Sequence, residues 1–387
     1  TQNNESMLSQ KNEILEKLKT LKMDPQSKEI ATQTSPVVAQ HLPEIIGDFY
    51  PRMFRTNPEV LKFFNLSNQK TGRQPNALAG AVVAAVTHLD NMDQIYDELM
   101  TIGHKHCALG ILPEHYKIVH DNFLAAVAQV LGSAVTPEIG KAWSDVLMHF
   151  ASACILVEEK IYNERTSLSG GEWNGRETKE FKIEKIIPES SSVKSFILKR
   201  ADGSPPPSYI PGQFVTLHIN PNPEKHPLMA PRHYTISSPT HIDGGIRISV
   251  REIKSEGEKP AGEVSSWLHH VAKEGDIINI RPPYGIFTRE YLFPGETIEE
   301  VYISGGIGVT PIASMAPIAF SSGSKVGWFH CEKSIEHQAL GKELGSKTFH
   351  IKKIHFTGNL EEEKEKFSIE KTLKELKEEG FDILNTT

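Results

Sequence analysis

Apolar residues change their spacing twice along this chain of 387 residues. Between residues 26 and 166 they recur at helical intervals, with few β-branched alternations, which predicts helices throughout. Over residues 173–293 the period falls to two: FVTLHIN (214–220) and GIRISVREI (245–253) alternate, with Pro and Gly between them, as strands do. Over residues 297–387 the two patterns take turns: VYISGG, PIASMAPIAF, KVGWFH, EHQALGKEL, HIKKIHF, SIEKTLKELKEEG and FDIL. Strand and helix in alternation predict a parallel sheet with covering helices. LSGGEWNG (168–175) is the expected linker between the first two regions. Ahead of them, residues 1–25 form an extension. TQNNESMLSQKNEILEKLKTLKM reads as an amphipathic helix whose Ile14, Leu18 and Leu21 share a face and pack on the surface.

Composition narrows the class. Hydrophobic residues make up 38% and charged ones 24%, the balance of a globular protein. No apolar run approaches the ~18 residues of a membrane span. A net charge of −7 without a broad basic face argues against nucleic acid as the partner. Cys107, Cys154 and Cys331 lie far apart with no metal-type spacing, which fits free thiols in a reducing, cytoplasmic setting. Glu5, Glu13 and Glu16 count against a transit peptide, and the absent initiator Met points to a processed end.

GHKHCALGILPEHY (103–116) concentrates three histidines, a cysteine and a tyrosine. Helical residues two apart point ~200° apart. A stripe of Leu99, Ile102 and His106 therefore sets His106 on the buried face and His104 on the wet one. An imidazole on an apolar face is either a satisfied core group or an axial haem ligand. Other stripes carry polar residues too. Gln74 heads Leu78, Val82 and Ala85 in RQPNALAGAVVAAV (73–86), a helix with Pro75 in its first turn. Tyr50 ends a helix in FYPRMF (49–54), and FFNLSNQ (63–69) makes an aromatic corner. Tyr116 heads Phe123, Val127 and Val130, while Glu158 closes the stripe Trp143, Leu147, Ala151, Cys154. A buried carboxylate is costly unless paired, and a buried tyrosine wants a partner.

FYPRMF, FNLSNQKTGRQPNAL, IGHKHCALGILPEHYKIV and EEKIYNE resemble the globin domain of the flavohaemoglobins, of the fungal and yeast type, almost without gaps over residues 27–165. The resemblance implies that His106 is the proximal ligand of haem b, the metal site of the chain. It implies that Tyr50 and Gln74 lie on the distal side and hydrogen-bond bound oxygen. Phe64 would wedge against the haem, with Leu78 beside it. Tyr116 and Glu158 would hydrogen-bond around the ligand histidine, and Lys105 would sit near the haem edge and assist electron transfer. A carboxylate accepting from the far side of an imidazole fixes its tautomer and makes it a more basic ligand. The iron is then richer in electrons, which favours oxygen activation over storage. His104, His115 and Cys107 read as solvent or packing groups.

In the strand region RHYTISS (232–238) follows PGQF (211–214), and GEVSSWLHH (262–270) opens a helix whose exposed amides suit a pyrophosphate. Taken alone, Ser265 and Ser266 are equally ordinary N-capping serines. The combination resembles the FAD-binding, ferredoxin-reductase type of antiparallel β-barrel. By resemblance Arg232 meets the FAD phosphates, with His233 beside it. Tyr234 lies on the isoalloxazine, and Thr235 keeps the hydroxyl of the family's serine. Phe214 packs near the cofactor, PYGIF (283–287) closes the barrel, and Val264, Ser265 and Ser266 face the pyrophosphate.

ISGGIGVTPIASM (303–315) is a strand, a Gly-rich turn and a helix, where backbone can approach a diphosphate. It resembles the pyridine-nucleotide motif of the same superfamily, placing Gly305, Gly306, Ile307, Gly308, Val309, Thr310 and Pro311 on NADH or NADPH. No arginine cluster follows KVGWFH, which leans to NADH. The superfamily continues with a strand ending Cys-Gly-Pro, a helix and a last strand that covers the flavin. This chain stops at NTT, so its α/β domain is expected to be C-terminally incomplete, with an open sheet edge.

The expected architecture is thus an all-α globin fold, then the antiparallel barrel, then the parallel-sheet NAD(P)-binding domain. The resemblance implies a monomeric nitric oxide dioxygenase that takes nitric oxide and oxygen to nitrate, with electrons passed from NAD(P)H through FAD to haem. Two other readings remain. An oxygen-binding haemoglobin or sensor kept ferrous by its reductase would bind oxygen reversibly and show little turnover with nitric oxide. A flavin-dependent haem, ferric or hydroperoxide reductase would be told apart by its substrate range.

Overall fold

The computed structural model describes residues 2–65, 72–292, 299–341, 343–345, 348–357 and 368–381. Residue 1 of the expected N-terminal helix, residues 66–69 of the aromatic corner and residues 382–384 of the expected last strand lie outside these. The chain divides into two units, residues 1–177 with 222–231, and residues 178–221 with 232–387.

The first unit is helical. α1 (Gln2–Thr20) buries Ile14 and Leu18 and leaves Leu21 half-buried, the expected apolar face. It packs on the turn Met92–Ile95 and on the last helix of the unit. α2 (Pro25–Gln40) begins where Asp24 accepts from the Ser27 amide at 2.9 Å, with Pro25 supplying a preset φ. α3 (Leu42–Thr56) buries Leu42, Ile45, Ile46, Phe49, Tyr50 and Met53, an unbroken helical stripe. α4 (Arg73–Thr87) carries Gln74 and Leu78, and α5 (Tyr96–Leu109) carries the histidine cluster. α5 stops at Gly110, whose φ of 82° is the left-handed conformation that glycine adopts most easily. α6 (Pro113–Leu131) follows at once, and α7 (Pro137–Leu168) is 32 residues long, capped by Thr136. Phe49, Met53, Phe123, Ala142, Trp143 and Val146 form the core between α3, α6 and α7.

The second unit opens with a six-stranded antiparallel sheet. Its strands are β1 (Lys179–Pro188), β2 (Val193–Arg200), β3 (Phe214–His218), β4 (Arg232–Thr235), β5 (Ile246–Arg251) and β6 (Ile277–Tyr284), ordered β4-β3-β6-β1-β2-β5. A bridge between Ile236 and Ile248 joins the two ends of that order, which closes the sheet into a barrel. α8 (Glu263–His270) follows β5, and the short α9 (Arg289–Leu292) follows β6. Then β7 (Glu299–Gly305), α10 (Val309–Ser321), β8 (Lys325–Glu332), β9 (Ile351–Phe356) and α11 (Ile369–Glu378) build a parallel sheet ordered β7-β8-β9. α10 packs on β7 and β8, while Leu376 of α11 joins Phe329 and Ile351. Among the described residues β7 pairs with β8 alone, and its Val301 and Ile303 are exposed.

Among the described residues the helix expected over 336–344 is not formed: a 3-10 turn at Ile335–His337 takes its place, and residue 342 lies outside the described residues. Leu340 sits at φ 56°, a left-handed conformation that breaks a helix, and Glu343 is drawn instead to the Arg247 guanidinium.

Candidate functional site

Three helices of the first unit converge on one carboxylate. Glu158, on α7, is almost wholly buried and receives two donors on the same oxygen. The His106 Nδ1 lies 2.7 Å from its Oε1, and the Tyr116 hydroxyl donates to it at 2.5 Å. Tyr116 and His106 also approach each other at 3.1 Å. The stripes of α5, α6 and α7 thus bring together the three residues that the sequence placed on one set of helices. Burial, with Cys154 and Glu158 nearby, holds the Tyr116 phenol well above its ordinary range, so it remains a donor. With Nδ1–H committed to Glu158, the imidazole's other nitrogen, Nε2, is the one left to bind. Nε2 has no hydrogen-bond partner among the described residues.

The buried face of α5 differs from the expected stripe. Leu99, Gly103 and Cys107 face the interior, Ile102 is only half-buried, and His106 stands at the margin with its side chain 32% exposed. The bare Gly103 lets α7 come close: a Cβ there would lie 2.9 Å from Ile161 Cδ1 and 3.0 Å from Val157 Cγ1. His104 is not the wet histidine either. It is half-buried, and burial together with the Arg165 charge pushes it down to about 3. His115 is structural, because its Nδ1 accepts from the Leu112 amide at 2.9 Å and caps α6. Cys107 is fully buried, as a packing group would be. Lys105 is exposed on α5.

Tyr50 and Gln74 also meet, though through the main chain: the Tyr50 hydroxyl donates to the Gln74 carbonyl at 3.3 Å. Phe64 stands edge-on to Tyr50 at 5.9 Å and to Phe54 at 5.3 Å. Leu78 and Phe64 pack on the core while staying partly exposed.

In the barrel, the register pairs Phe214 with Thr235, Val215 with Tyr234, Thr216 with His233 and Leu217 with Arg232. Side chains alternate across a strand. Arg232 and Tyr234 therefore share one face, and His233 and Thr235 the other. Burial lowers the Arg232 guanidinium from its ordinary value and pushes the Tyr234 phenol up to about 12. His233 is fixed on its own face by Thr216 at 2.8 Å and by the Phe214 ring at 4.9 Å. At the start of α8, Val264 is buried and the Ser265 hydroxyl is consumed internally, accepting from the Ile253 amide and donating to the Gly262 carbonyl. Ser266 is half-buried, and no side chain caps this helix.

At the glycine turn, Gly305 ends β7, a 3-10 turn covers Gly306–Gly308 with Ile307 at its centre, and Val309, Thr310 and Pro311 open α10. Gly306 has φ 53°, and a Cβ there would lie 2.7 Å from Arg251 Nη1. Arg251 is the group that sequence reasoning missed. It comes from β5 of the barrel and is held by Glu332 at 2.7 Å, a pairing across eighty-one positions that no local pattern announces. Among the described residues no cluster of three or more His, Cys, Asp or Glu could hold a metal ion, and no helix is long and apolar enough to cross a membrane.

Comparison with known proteins gives the following. The family Globin matches residues 47–154, and the family Oxidoreductase FAD-binding domain matches residues 180–289. A flavohemoprotein of Halalkalibacterium halodurans is 37% identical over 341 residues, covering 88% of this chain and 81% of its own. Flavohemoprotein A of Dictyostelium discoideum is 38% identical, covering 84% and 80%. Among solved structures, a flavohemoglobin of Malassezia yamatoensis with bound FAD and heme superposes with a TM-score of 0.72 at 26% identity, over 86% of this chain and 84% of that one.

Proposed function

The chain belongs to the flavohemoprotein family, and from that premise we propose that it is an NAD(P)H-dependent nitric oxide dioxygenase of the cytoplasm. The observation that carries the reading is the carboxylate behind His106. Its Nδ1–H is bound to a buried Glu158 that Tyr116 also engages, which leaves Nε2 as the ligating atom for haem b. A plain oxygen carrier has no need of so basic a ligand.

The residues fit the three cofactors. His106 would hold the haem iron, with Phe64 and Leu78 against the macrocycle and Lys105 at its edge. Tyr50 and Gln74 would offer hydrogen bonds to the gas substrate. Phe214, Arg232, His233, Tyr234, Thr235, Val264, Ser265 and Ser266 would hold FAD. The segment Gly305–Pro311 would hold NADH or NADPH, with backbone amides and the start of α10 toward its diphosphate. When bound, these groups supply the electron relay and the oxygen chemistry. In balance, each nitric oxide takes up one oxygen molecule and one electron to give nitrate.

What the chain itself does is orient and polarise. Glu158 fixes the His106 tautomer and increases its basicity. Tyr116 donates to the same carboxylate and limits how much charge reaches the ring. Burial of Glu158 strengthens both bonds, since little water competes for them.

The test is anaerobic stopped-flow mixing of the haem- and FAD-loaded protein with NADH, followed by oxygen and nitric oxide. The flavin absorbance should bleach, the haem band should move to its ferrous position, and nitrate should then accumulate as NADH is consumed. Reversible oxygen uptake without nitrate would overturn the proposal in favour of an oxygen-binding haemoglobin.

A further inference from the structure

Helix α7 reaches His106 at a second point. Tyr162 lies four residues beyond Glu158, on the same side of the helix. It is 2% exposed, and its hydroxyl meets the turn that ends α5. Two carbonyls are within reach there, Ile111 at 2.8 Å and Cys107 at 3.5 Å. A phenol has one proton to give, so the nearer carbonyl takes it. Ile111 is thereby held at both ends, because its own amide donates to the His106 carbonyl at 3.0 Å. It forms a short bridge from the phenol to the main chain of the histidine. The Tyr162 ring is in turn covered by Arg176, whose guanidinium carbon lies 4.5 Å from the ring centroid. Arg176 is exposed and stands three residues before β1 begins. The stretch that bears it, the expected linker, is folded. Trp173 is buried there, its amide donates to Ser169 Oγ at 3.0 Å, and its indole donates to the Glu177 carbonyl at 2.9 Å.

We propose that Tyr162 is a further positioning residue for His106, and that Arg176 keeps Tyr162 in place. The inference rests on His106 being the haem ligand, as proposed above. An imidazole held only at Nδ1 can still tilt about its side-chain bonds and swing Nε2 with it. Two anchors on α7 remove that freedom. Glu158 fixes the ring, and Tyr162 fixes the backbone behind it through Ile111. Both anchors belong to one helix and stand about one turn apart, so the distance between them is set. Arg176 acts on the second anchor. Its charge lies over the aromatic face, and its bulk keeps water from the phenol proton. Without it, water competes for that proton, the turn at residues 110–112 loosens, and the direction of Nε2 spreads.

The test reads the iron–histidine stretching band by resonance Raman spectroscopy of the haem-loaded, dithionite-reduced full chain. Tyr162→Phe should move the band to lower frequency and broaden it. Arg176→Ala should move it the same way by a smaller amount, and Arg176→Lys, which keeps a cation over the ring, should restore it. Arg176 is exposed, so its variants carry the test even where Tyr162→Phe folds poorly. In a Tyr162→Phe background Arg176→Ala should add nothing, because the bridge is already cut; the double-mutant comparison isolates that coupling. Tyr209→Phe is the control: it removes a phenol-to-carbonyl bond of 3.0 Å in the second unit and should leave the band in place. The inference is overturned if Tyr162→Phe or Arg176→Ala leaves the band unmoved, if Tyr209→Phe moves it as far, if Arg176→Lys fails to restore it, or if the Arg176→Ala shift survives in the Tyr162→Phe background. Absence of the band from the parent protein, or its persistence in His106→Ala, would instead overturn the ligand assignment itself.

Discussion

Gly103 offers the sharpest check on how the proximal network is held. It lies in the middle of α5, three residues before His106, and faces Val157 and Ile161 of α7, the residues flanking Glu158 on its helix. Gly103→Ala has two opposed effects. Alanine is the better helix former by about 1 kcal/mol, which stabilises. Its Cβ, however, would lie 2.9 Å from Ile161 Cδ1 and 3.0 Å from Val157 Cγ1. Those contacts are too short, and overpacking of this kind costs about 1–3 kcal/mol. The net expectation is a loss of up to about 2 kcal/mol.

Gly80 supplies the control. It lies in the middle of α4, and a Cβ there meets nothing within 4 Å. Gly80→Ala should therefore gain about 0.5–1 kcal/mol from propensity alone. The difference between the two variants cancels propensity and leaves the close approach of α5 to α7. Urea unfolding of the full chain, followed by far-ultraviolet circular dichroism, measures both midpoints. Because Ile161 can relieve the clash by moving α5 away from α7, Gly103→Ala should also perturb the 2.7 Å bond between His106 and Glu158. If Gly103→Ala stabilises as much as Gly80→Ala, the packing argument is refuted.

Two more expectations concern the second unit. Gly212 has φ 103°, and a Cβ there would lie 2.0 Å from the Phe287 carbonyl oxygen; Gly212→Ala should cost more than about 3 kcal/mol and abolish the cooperative melt of the strand-rich unit, and an unchanged melt would refute this. His218 accepts from Arg281 Nε at 3.2 Å, and burial, then Arg281 and His233, push its pKa down from 6.5 to about 4. The unfolded chain therefore takes up the proton first on acidification. Stability is complete above the unfolded value and should fall by up to about 3 kcal/mol as pH drops toward 4, while His218→Gln should flatten that slope in urea midpoints measured across the range.

The periodic parts of the fold were legible. The alternation in β3 and β5 and the glycine turn at 305–308 appear where their spacing put them, whereas α3 runs on to Thr56, past the helix end expected at Tyr50. Spacing placed His106, Tyr116 and Glu158 on one set of helices, and their hydrogen-bonded meeting is what the flavohaemoglobin resemblance implied. The stripe on α5 was misread because Gly103 carries no hydrophobic signal, although it occupies the closest contact with α7. Ile102 took its place in the pattern, and His104 was sent to solvent. Residues 336–344 failed for another reason. Ala339, Leu340 and Leu344 have a helical look and are buried in the apolar cluster with Tyr302 and Trp328, but the backbone at Leu340 is left-handed and Glu343 pairs with the distant Arg247. The Tyr50 bond to Gln74 uses a carbonyl that every residue possesses, so no choice of side chain could announce it.

The outer side of β7 sets a limit on how this protein behaves at high concentration. Among the described residues its one strand partner is β8, and the strand carries a strip formed by Val301, 38% exposed, and Ile303, 54% exposed. Such a strip can accept a strand from a second molecule and then offer an equivalent edge to a third. Colloidal lifetime, rather than melting temperature, would then decide how concentrated a usable stock can be. A charged side chain in place of Ile303 is the simplest way to lengthen it.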